Sequence, residues 1–216
     1  MKHYVALLVL LLVSLSTWAQ HPRPLKAALG LQAGPAYTHL RGNPTANALA
    51  ADLRFAGGLF FRHRVKKAFA RIEVLYENKG SKEEGASLHY DDRGEVTGQT
   101  AYTLRQHFHY LTVPVMVEFP VAKTGLHVAL GPYLGFLLKQ DLEAYDENLE
   151  FTAFYRRLDA GLTGGVAYYH TLTPTLLMRA EVRHNAGLRN ISEDTTPESV
   201  LKTSSTNLFL GVSYRW

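Results

Sequence analysis

Few residues of this chain have the type and spacing that chemistry requires. His107 and His109 fall on one face of any strand that contains them, and two imidazoles so placed can bind a metal ion. No acidic residue or cysteine accompanies them at a telling distance, so we expect a histidine pair at the rim of the fold and no metal. The acidic run Asp91-Asp92-Arg93-Gly94-Glu95 lacks the ligand order of an EF-hand and predicts a hairpin turn.

Enzymatic and nucleic-acid functions find little support. Gly57-Gly58 and Gly164-Gly165 are followed by no helix that could hold a phosphate, and they favour tight packing of strands. No local pattern marks a nucleophile with its base, so we predict no catalytic residue and no cofactor; a barrel hydrolase, with a triad drawn from separate strands, is the weaker alternative. The net charge of +4 is mild, which argues against a nucleic-acid partner.

Alternation of apolar and polar residues organises the chain, and it occurs in eight segments. They are 27–38, 53–63, 68–79, 102–119, 125–139, 155–170, 175–185 and 208–216. Each reads as a strand with one apolar face, since a strand has a side-chain period of two. The predicted fold is therefore all-β.

The connections between these segments alternate between long and short. The short ones are 63–67, 120–124 and 171–174, and the long ones are 40–52, 80–101, 140–154 and 186–204. This order is typical of an eight-stranded antiparallel up-and-down transmembrane β-barrel with a polar, filled interior. Both termini would then be periplasmic. The alternative is a soluble lipocalin-like barrel, which would be apolar inside and polar outside.

On the membrane interpretation, the polar faces of the strands point into the lumen. That parity carries nine bases and five acids. The predicted lumen charge cluster comprises Arg54, Arg62, Arg71, Glu73, Glu118, Arg179, Glu181, Arg183 and Arg215; the other members of the parity are Glu77, Lys79, Lys139, Arg157 and Asp159. An eight-stranded barrel has room only for side chains, so we expect a paired ionic plug. The surplus of bases leaves open a narrow path for small anionic solutes.

The two ends of the chain carry signals of the same compartment. Gly211, Tyr214 and Trp216 have a Gly-x-x-Tyr-x-Trp spacing that resembles the C-terminal signal read by the bacterial barrel-assembly machinery. At the other end, a basic start, an apolar run over 4–15 and Thr17-Trp18-Ala19 predict a signal peptide over 1–19 that is cleaved after Ala19. The alternative is a membrane anchor, but the run is shorter than the roughly 20 residues that a spanning helix needs. The rest, 20–216, is predicted to form one domain.

Two short motifs resemble a known family. Residues 73–80, Glu-Val-Leu-Tyr-Glu-Asn-Lys-Gly, resemble the Glu-Leu-x-Tyr-x-x-Lys-Gly segment of the PorT-like outer-membrane β-barrel family, with Val74 in place of the usual Leu. Residues 110–117, Tyr-Leu-Thr-Val-Pro-Val-Met-Val, resemble its Tyr-Leu-x-Ile-Pro-x-Leu strand. The resemblance implies an outer-membrane protein of the Gram-negative envelope, from a family whose namesake is implicated in secretion and surface assembly.

The predicted function follows from fold and compartment. We expect a non-enzymatic integral protein with a structural, adhesion or secretion-associated role exerted through extracellular loops. Its expected partners are outer-membrane lipid, the barrel-assembly machinery and an envelope or surface protein. The channel and the hydrolase stand as alternatives.

Overall fold

A computed structural model describes residues 26–216 except Lys123, Tyr145, Asp146 and Thr195. The predicted signal peptide lies outside these residues. The strands are β1 (Ala27–Arg41), β2 (Ala50–Val65), β3 (Ala68–Tyr90), β4 (Val96–Pro120), β5 (Leu126–Ala144), β6 (Glu147–Glu150), β7 (Leu158–Thr171), β8 (Leu176–Gly187) and β9 (Lys202–Arg215). The helical elements are α1 (Pro44–Ala48) and two 3-10 turns (Thr152–Phe154 and Pro197–Ser199). No helix among the described residues is long and apolar enough to cross a membrane.

Eight strands form a closed antiparallel ring. Neighbours follow the order β4-β3-β2-β1-β9-β8-β7-β5, and pairing of β4 with β5 closes the ring. The four-residue strand β6 pairs only with the outer part of β5 and takes no place in the ring. The predicted eight-stranded up-and-down topology is confirmed.

The orientation of the side chains separates the membrane barrel from the soluble one. On β3, Glu73 is 1% exposed and the next residue, Val74, is 46% exposed. The same inversion recurs on the other strands of the ring, where large apolar residues such as Leu134 and Val182 are exposed. A lipocalin-like barrel would bury Val74 and expose Glu73, so that alternative is wrong. The apolar faces form a belt suited to lipid, because the outer surface of a membrane barrel contacts the hydrocarbon core of the bilayer.

The seam between the first and last strands completes the ring. β1 and β9 pair from Ala28↔Arg215 to Arg41↔Lys202, and the Trp216 carbonyl accepts hydrogen bonds from the amides of Lys26 and Ala27. The predicted signal residues Gly211, Tyr214 and Trp216 lie on this closing strand or directly after it, and both aromatic rings are exposed on the outer surface. Chain entry and exit therefore lie at the same end of the barrel, where the connections are short.

Two features of the strands differ from the expectation. The connection 80–101, predicted as a long connection with a hairpin turn at 91–95, is mostly strand, because β3 and β4 stay paired out to Tyr90↔Val96. The turn that follows is the predicted one, with the Asp91 carboxylate accepting from the amides of Arg93 and Glu95. Proline has no amide hydrogen for a ladder bond, so the sequence suggests a bulge or local kink at Pro114, but the register shift against β5 lies between His109 and Tyr110.

Replacement of Val74 by Arg tests the lipid-facing assignment. A cation on the lipid face near the bilayer midplane should lower the free energy of unfolding by about 2–4 kcal/mol. Urea unfolding in lipid vesicles measures the effect, and Leu88→Arg on the exposed distal part of β3 is the matched control. Equal stability of the two variants would contradict the assignment.

Candidate functional site

The lumen is crossed by hydrogen bonds and ion pairs that converge on Glu73. Its carboxylate accepts from Arg183 Nη1 at 2.7 Å and Gln32 Nε2 at 2.8 Å, and Arg71 Nε lies 2.9 Å away. All four side chains are buried. Glu73 on β3 and Arg183 on β8 belong to strands on opposite sides of the ring, so this ion pair spans the lumen.

A second set of ion pairs continues toward the short-turn end. Arg62 Nε lies 2.6 Å from Glu118 Oε2, and Arg71 Nη2 lies 2.6 Å from Glu181 Oε1. Arg71 also contacts Glu118, so it links three carboxylates. The Tyr169 hydroxyl donates to Glu118 at 2.9 Å. This sharing gives each of these buried charges an opposite charge as partner; a buried charge left alone would cost several kcal/mol.

A third group lies nearer the long-loop end. Lys79 Nζ lies 3.2 Å from Asp159 Oδ2 and 3.4 Å from Glu77 Oε2. Asp159 also accepts from the hydroxyls of Thr203 at 2.7 Å and Tyr133 at 3.2 Å. Four strands of the ring therefore meet at this one buried ammonium–carboxylate pair.

These groups together form the lumen network, and its charges balance. Five buried bases face five buried acids: Arg62, Arg71, Lys79, Arg179 and Arg183 with Glu73, Glu77, Glu118, Asp159 and Glu181. The nine-to-five surplus of bases expected from parity is absent from the network, because four of the nine bases lie elsewhere. The structure thus removes the observation on which an anion-preferring path rested.

Two residues predicted for the lumen charge cluster lie outside it. Arg54 pairs with Asp52 and contacts His107 Nδ1 at 2.7 Å, at the long-loop end. Arg54 belongs to the part of β2 next to the long β1–β2 connection, where the register against β3 shifts between Ala51 and Ala56. Arg215 lies at the short-turn end, where its Nε donates to the Pro174 carbonyl at 2.8 Å.

An apolar cap closes the lumen at the long-loop end. It consists of Leu40, Ala46, Phe108, Tyr110, Leu137 and Ile191, all buried. Ile191 comes from the β8–β9 connection and Ala46 from α1, so two connections fold inward over the barrel. Tyr155 packs edge-on against Phe108 at 4.8 Å, and burial raises the pKa of its hydroxyl. The cap leaves the lumen network shielded from this side.

The opposite mouth holds a small basic cleft of about 120 Å³. Lys26, Arg62, Arg64 and Arg215 line it together with Phe69. The Arg62 guanidinium lies 3.4 Å from the centroid of the Phe69 ring and is held by Glu118, so the cleft ends on the lumen network.

A second charged cluster lies at the rim, near the long-loop end. His107 and His109 on β4 have parallel rings, with centroids 6.1 Å apart and an interplanar angle of 7°. From β5, Asp141 Oδ1 lies 3.1 Å from His109 Nε2 and Glu143 Oε2 lies 3.2 Å from His107 Nε2. We call these four residues the rim cluster. The histidine pair was found in the sequence, but its acidic partners were missed because they lie more than 30 positions away.

The other nitrogens of the two rings are also engaged. Tyr76 Oη lies 2.5 Å from His109 Nδ1, and Arg54 Nη1 lies near His107 Nδ1. Lys139 Nζ lies 3.4 Å from Asp141, and Arg105 Nη1 lies 3.5 Å from Glu143. Unlike the fully buried members of the lumen network, the side chains of His107, His109 and Glu143 keep partial access to solvent.

Replacement of Glu73 by Ala tests whether the lumen network stabilises the barrel. Removing one carboxylate leaves Arg71 and Arg183 without a buried partner, and the free energy of unfolding should fall by about 3–5 kcal/mol. Unfolding titrations in detergent measure this change. Glu150→Ala, an exposed carboxylate on β6, should change stability by less than about 0.5 kcal/mol. Wild-type stability for Glu73→Ala would refute the role given to the network.

Comparison with known proteins gives a family. Residues 18–193 match the model of the family described as outer membrane protein beta-barrel domain. A search of curated proteins gives no match. Among solved structures, Neisserial surface protein A is 15% identical, with 88% of this chain and 99% of that chain covered and a TM-score of 0.47. The attachment invasion locus protein Ail of Yersinia pestis is 13% identical, with 89% and 100% covered and a TM-score of 0.43. Since the family match extends over most of the sequence, the chain belongs to the outer membrane protein beta-barrel domain family.

Proposed function

We propose that this outer-membrane β-barrel is a non-enzymatic scaffold that presents its long connections at the cell surface to an envelope or surface protein. The observation that carries the proposal is the β3–β4 hairpin. Residues 80–90 of β3 remain paired with β4, and at about 3.3 Å per residue this part is roughly 35 Å long. A two-stranded arm of that length reaches well beyond a lipid belt.

The tip of the hairpin has the composition of a contact surface. Leu88, Tyr90 and Val96 are exposed there, beside the acidic turn 91–95. Apolar side chains have no lipid to face in this position, and an exposed aromatic flanked by polar residues is a common anchor of protein interfaces. We therefore assign the partner contact to this tip.

The lumen supports a scaffold better than a channel. The lumen network fills the centre with equal numbers of bases and acids, and the apolar cap covers it at the long-loop end. A small anion would have to break paired buried charges and move Ile191 aside. Among the described residues, the histidines that contact a threonine hydroxyl, His89 with Thr100 and His184 with Thr206, are exposed, which gives little support to a hydrolase.

The placement of the protein in the envelope belongs to the same proposal. We place the long connections outside and both ends of the barrel in the periplasm, in contact with the barrel-assembly machinery through the closing strand during biogenesis. The motifs at 73–80 and 110–117 support membership of the PorT-like branch. A role beside secretion or surface assembly would fit that branch.

Single cysteines test the orientation, because the chain has none of its own. Asp92→Cys at the hairpin tip should react with a membrane-impermeant maleimide added to intact cells. Lys67→Cys, in the short β2–β3 turn, should react only after the outer membrane is opened; both positions are exposed in the fold. The reverse pattern would overturn the proposed orientation.

Shortening the hairpin tests the function. Deleting 84–103 and joining the paired residues Glu83 and Leu104 through Asn-Gly should leave a folded, heat-modifiable barrel, since the ring is untouched. A photo-crosslinking residue at Tyr90 should capture an envelope or surface protein, whereas one at lipid-facing Leu134 should not. Stepwise conductance of the wild type in planar bilayers, with no adduct at Tyr90, would favour the channel instead.

A further inference from the structure

We infer that the rim cluster is a binding site for a divalent transition-metal ion such as Zn²⁺. Two imidazoles and two carboxylates converge from neighbouring strands, and the ligand atoms of His107, His109 and Asp141 all lie within 4.8 Å of one another. Nitrogen and oxygen ligands of this kind are those that Zn²⁺ takes in proteins. The site does not depend on the scaffold function proposed above.

The geometry brings each imidazole together with a carboxylate. His109 Nε2 and Asp141 Oδ1 are 3.1 Å apart, and His107 Nε2 and Glu143 Oε2 are 3.2 Å apart. An ion bonded at about 2.1 Å to both atoms of such a pair would subtend an angle of roughly 95°, which small side-chain rotations open toward the tetrahedral value. The two rings are parallel and adjacent, so one ion can draw ligands from His107, His109 and Asp141 together.

A distortion of the strands produces this arrangement. Asp141 lies directly opposite His107 in the β4–β5 ladder, and the register then shifts between His109 and Tyr110. Bulges redirect side chains and often occur next to functional sites. Here the shift lies beside His109, whose ring reaches Asp141 although its ladder partner is Lys139.

The charges of the surroundings favour a metal that bonds to nitrogen. Asp52, Asp141 and Glu143 are balanced by Arg54, Arg105 and Lys139, so the neighbourhood offers no excess of negative charge. Mg²⁺ and Ca²⁺ bind through oxygen and depend on such an excess. Zn²⁺ and similar transition-metal ions bind imidazole nitrogen directly, so they do not need that excess of negative charge. The side chains of His107 and His109 are 15% and 22% exposed, so an ion from solvent can reach them.

Arg54 sets the affinity of the site. Its guanidinium can only donate, and its Nη1 lies 2.7 Å from His107 Nδ1 and 3.2 Å from Nε2. We assign the acceptor role to Nδ1, the nearer nitrogen, which leaves the ring proton on Nε2, the nitrogen beside Glu143 that a metal would use. On binding, the proton moves to Nδ1 and Arg54 withdraws to its other partner, Asp52. His109 needs no change of partner on metal binding, because the Tyr76 hydroxyl can accept a hydrogen bond from a protonated Nδ1 while Nε2 binds the ion.

Calorimetric titration of the folded chain in detergent with Zn²⁺ alone tests the site. We expect one ion per chain and about a tenfold or greater loss of affinity for His107→Ala combined with His109→Ala, and for Asp141→Asn. The control is His63→Ala combined with His170→Ala, two exposed histidines at the short-turn end, which should bind as the wild type does. Mg²⁺ should give no binding.

Arg54→Gln separates metal binding from a general effect on folding. A glutamine oxygen can accept from His107 Nδ1–H, so this variant should bind Zn²⁺ about tenfold more tightly, a gain that misfolding cannot produce. Heat-modifiable migration verifies the fold of every variant. Absence of binding in both the wild type and Arg54→Gln, or binding unchanged by loss of the two histidines and Asp141, would overturn the site; histidine-dependent binding without a gain in Arg54→Gln would overturn the role of Arg54.

Discussion

The width of an eight-stranded ring is the constraint on which the rest of the structure depends. Such a ring leaves room inside for side chains and little else, so every charge that points inward must find a partner within the ring. Glu73 shows how this is met: its partners come from β3 itself, from β1 and from the opposite strand β8. Pairing across the lumen fixes the polar faces inward, and the alternation of the strands then turns the apolar faces toward lipid. The ionic network and the lipid belt therefore both result from the same alternation of polar and apolar residues along each strand.

Because the lumen is filled, we expect the binding function to lie outside it, at the long-loop end of the barrel. A lumen filled by paired charges and covered by Ile191 and its neighbours has little left with which to select a solute. The short turns at the other end offer few residues, and the basic cleft there ends on the Arg62–Glu118 pair. Recognition is left to the long connections, where the β3–β4 hairpin shows that a connection of this barrel can be as ordered as the barrel itself.

The sequence predicts the strand number, the parity and the inward position of Glu73, because each follows from a period of two within one strand. It cannot predict which inward charges meet, since that depends on the stagger between strands. Arg54 has the right parity, but its partners are Asp52 and His107 at the rim. The hairpin turn at 91–95 is predicted, but the extent of the distal part of β3 is not, because both faces of that part meet water and no apolar alternation marks it. Asp141 escaped notice because only the ladder between β4 and β5 places it beside His107.

The lumen network and the rim cluster are built from similar charges, yet their physical roles differ with burial. In the lumen, removing one partner leaves the other charge unpaired where water cannot reach it, and this lowers the stability of the fold. The ion pairs of the lumen therefore stay intact. At the rim, the side chains of His107, His109 and Glu143 keep contact with solvent, and exchange of one partner for another costs little. Arg54 and a divalent ion can therefore compete for the same imidazole, whereas no ion could displace Arg71 from its three carboxylates. Partial exposure makes the rim charges available for binding, and full burial makes the lumen charges part of the fold.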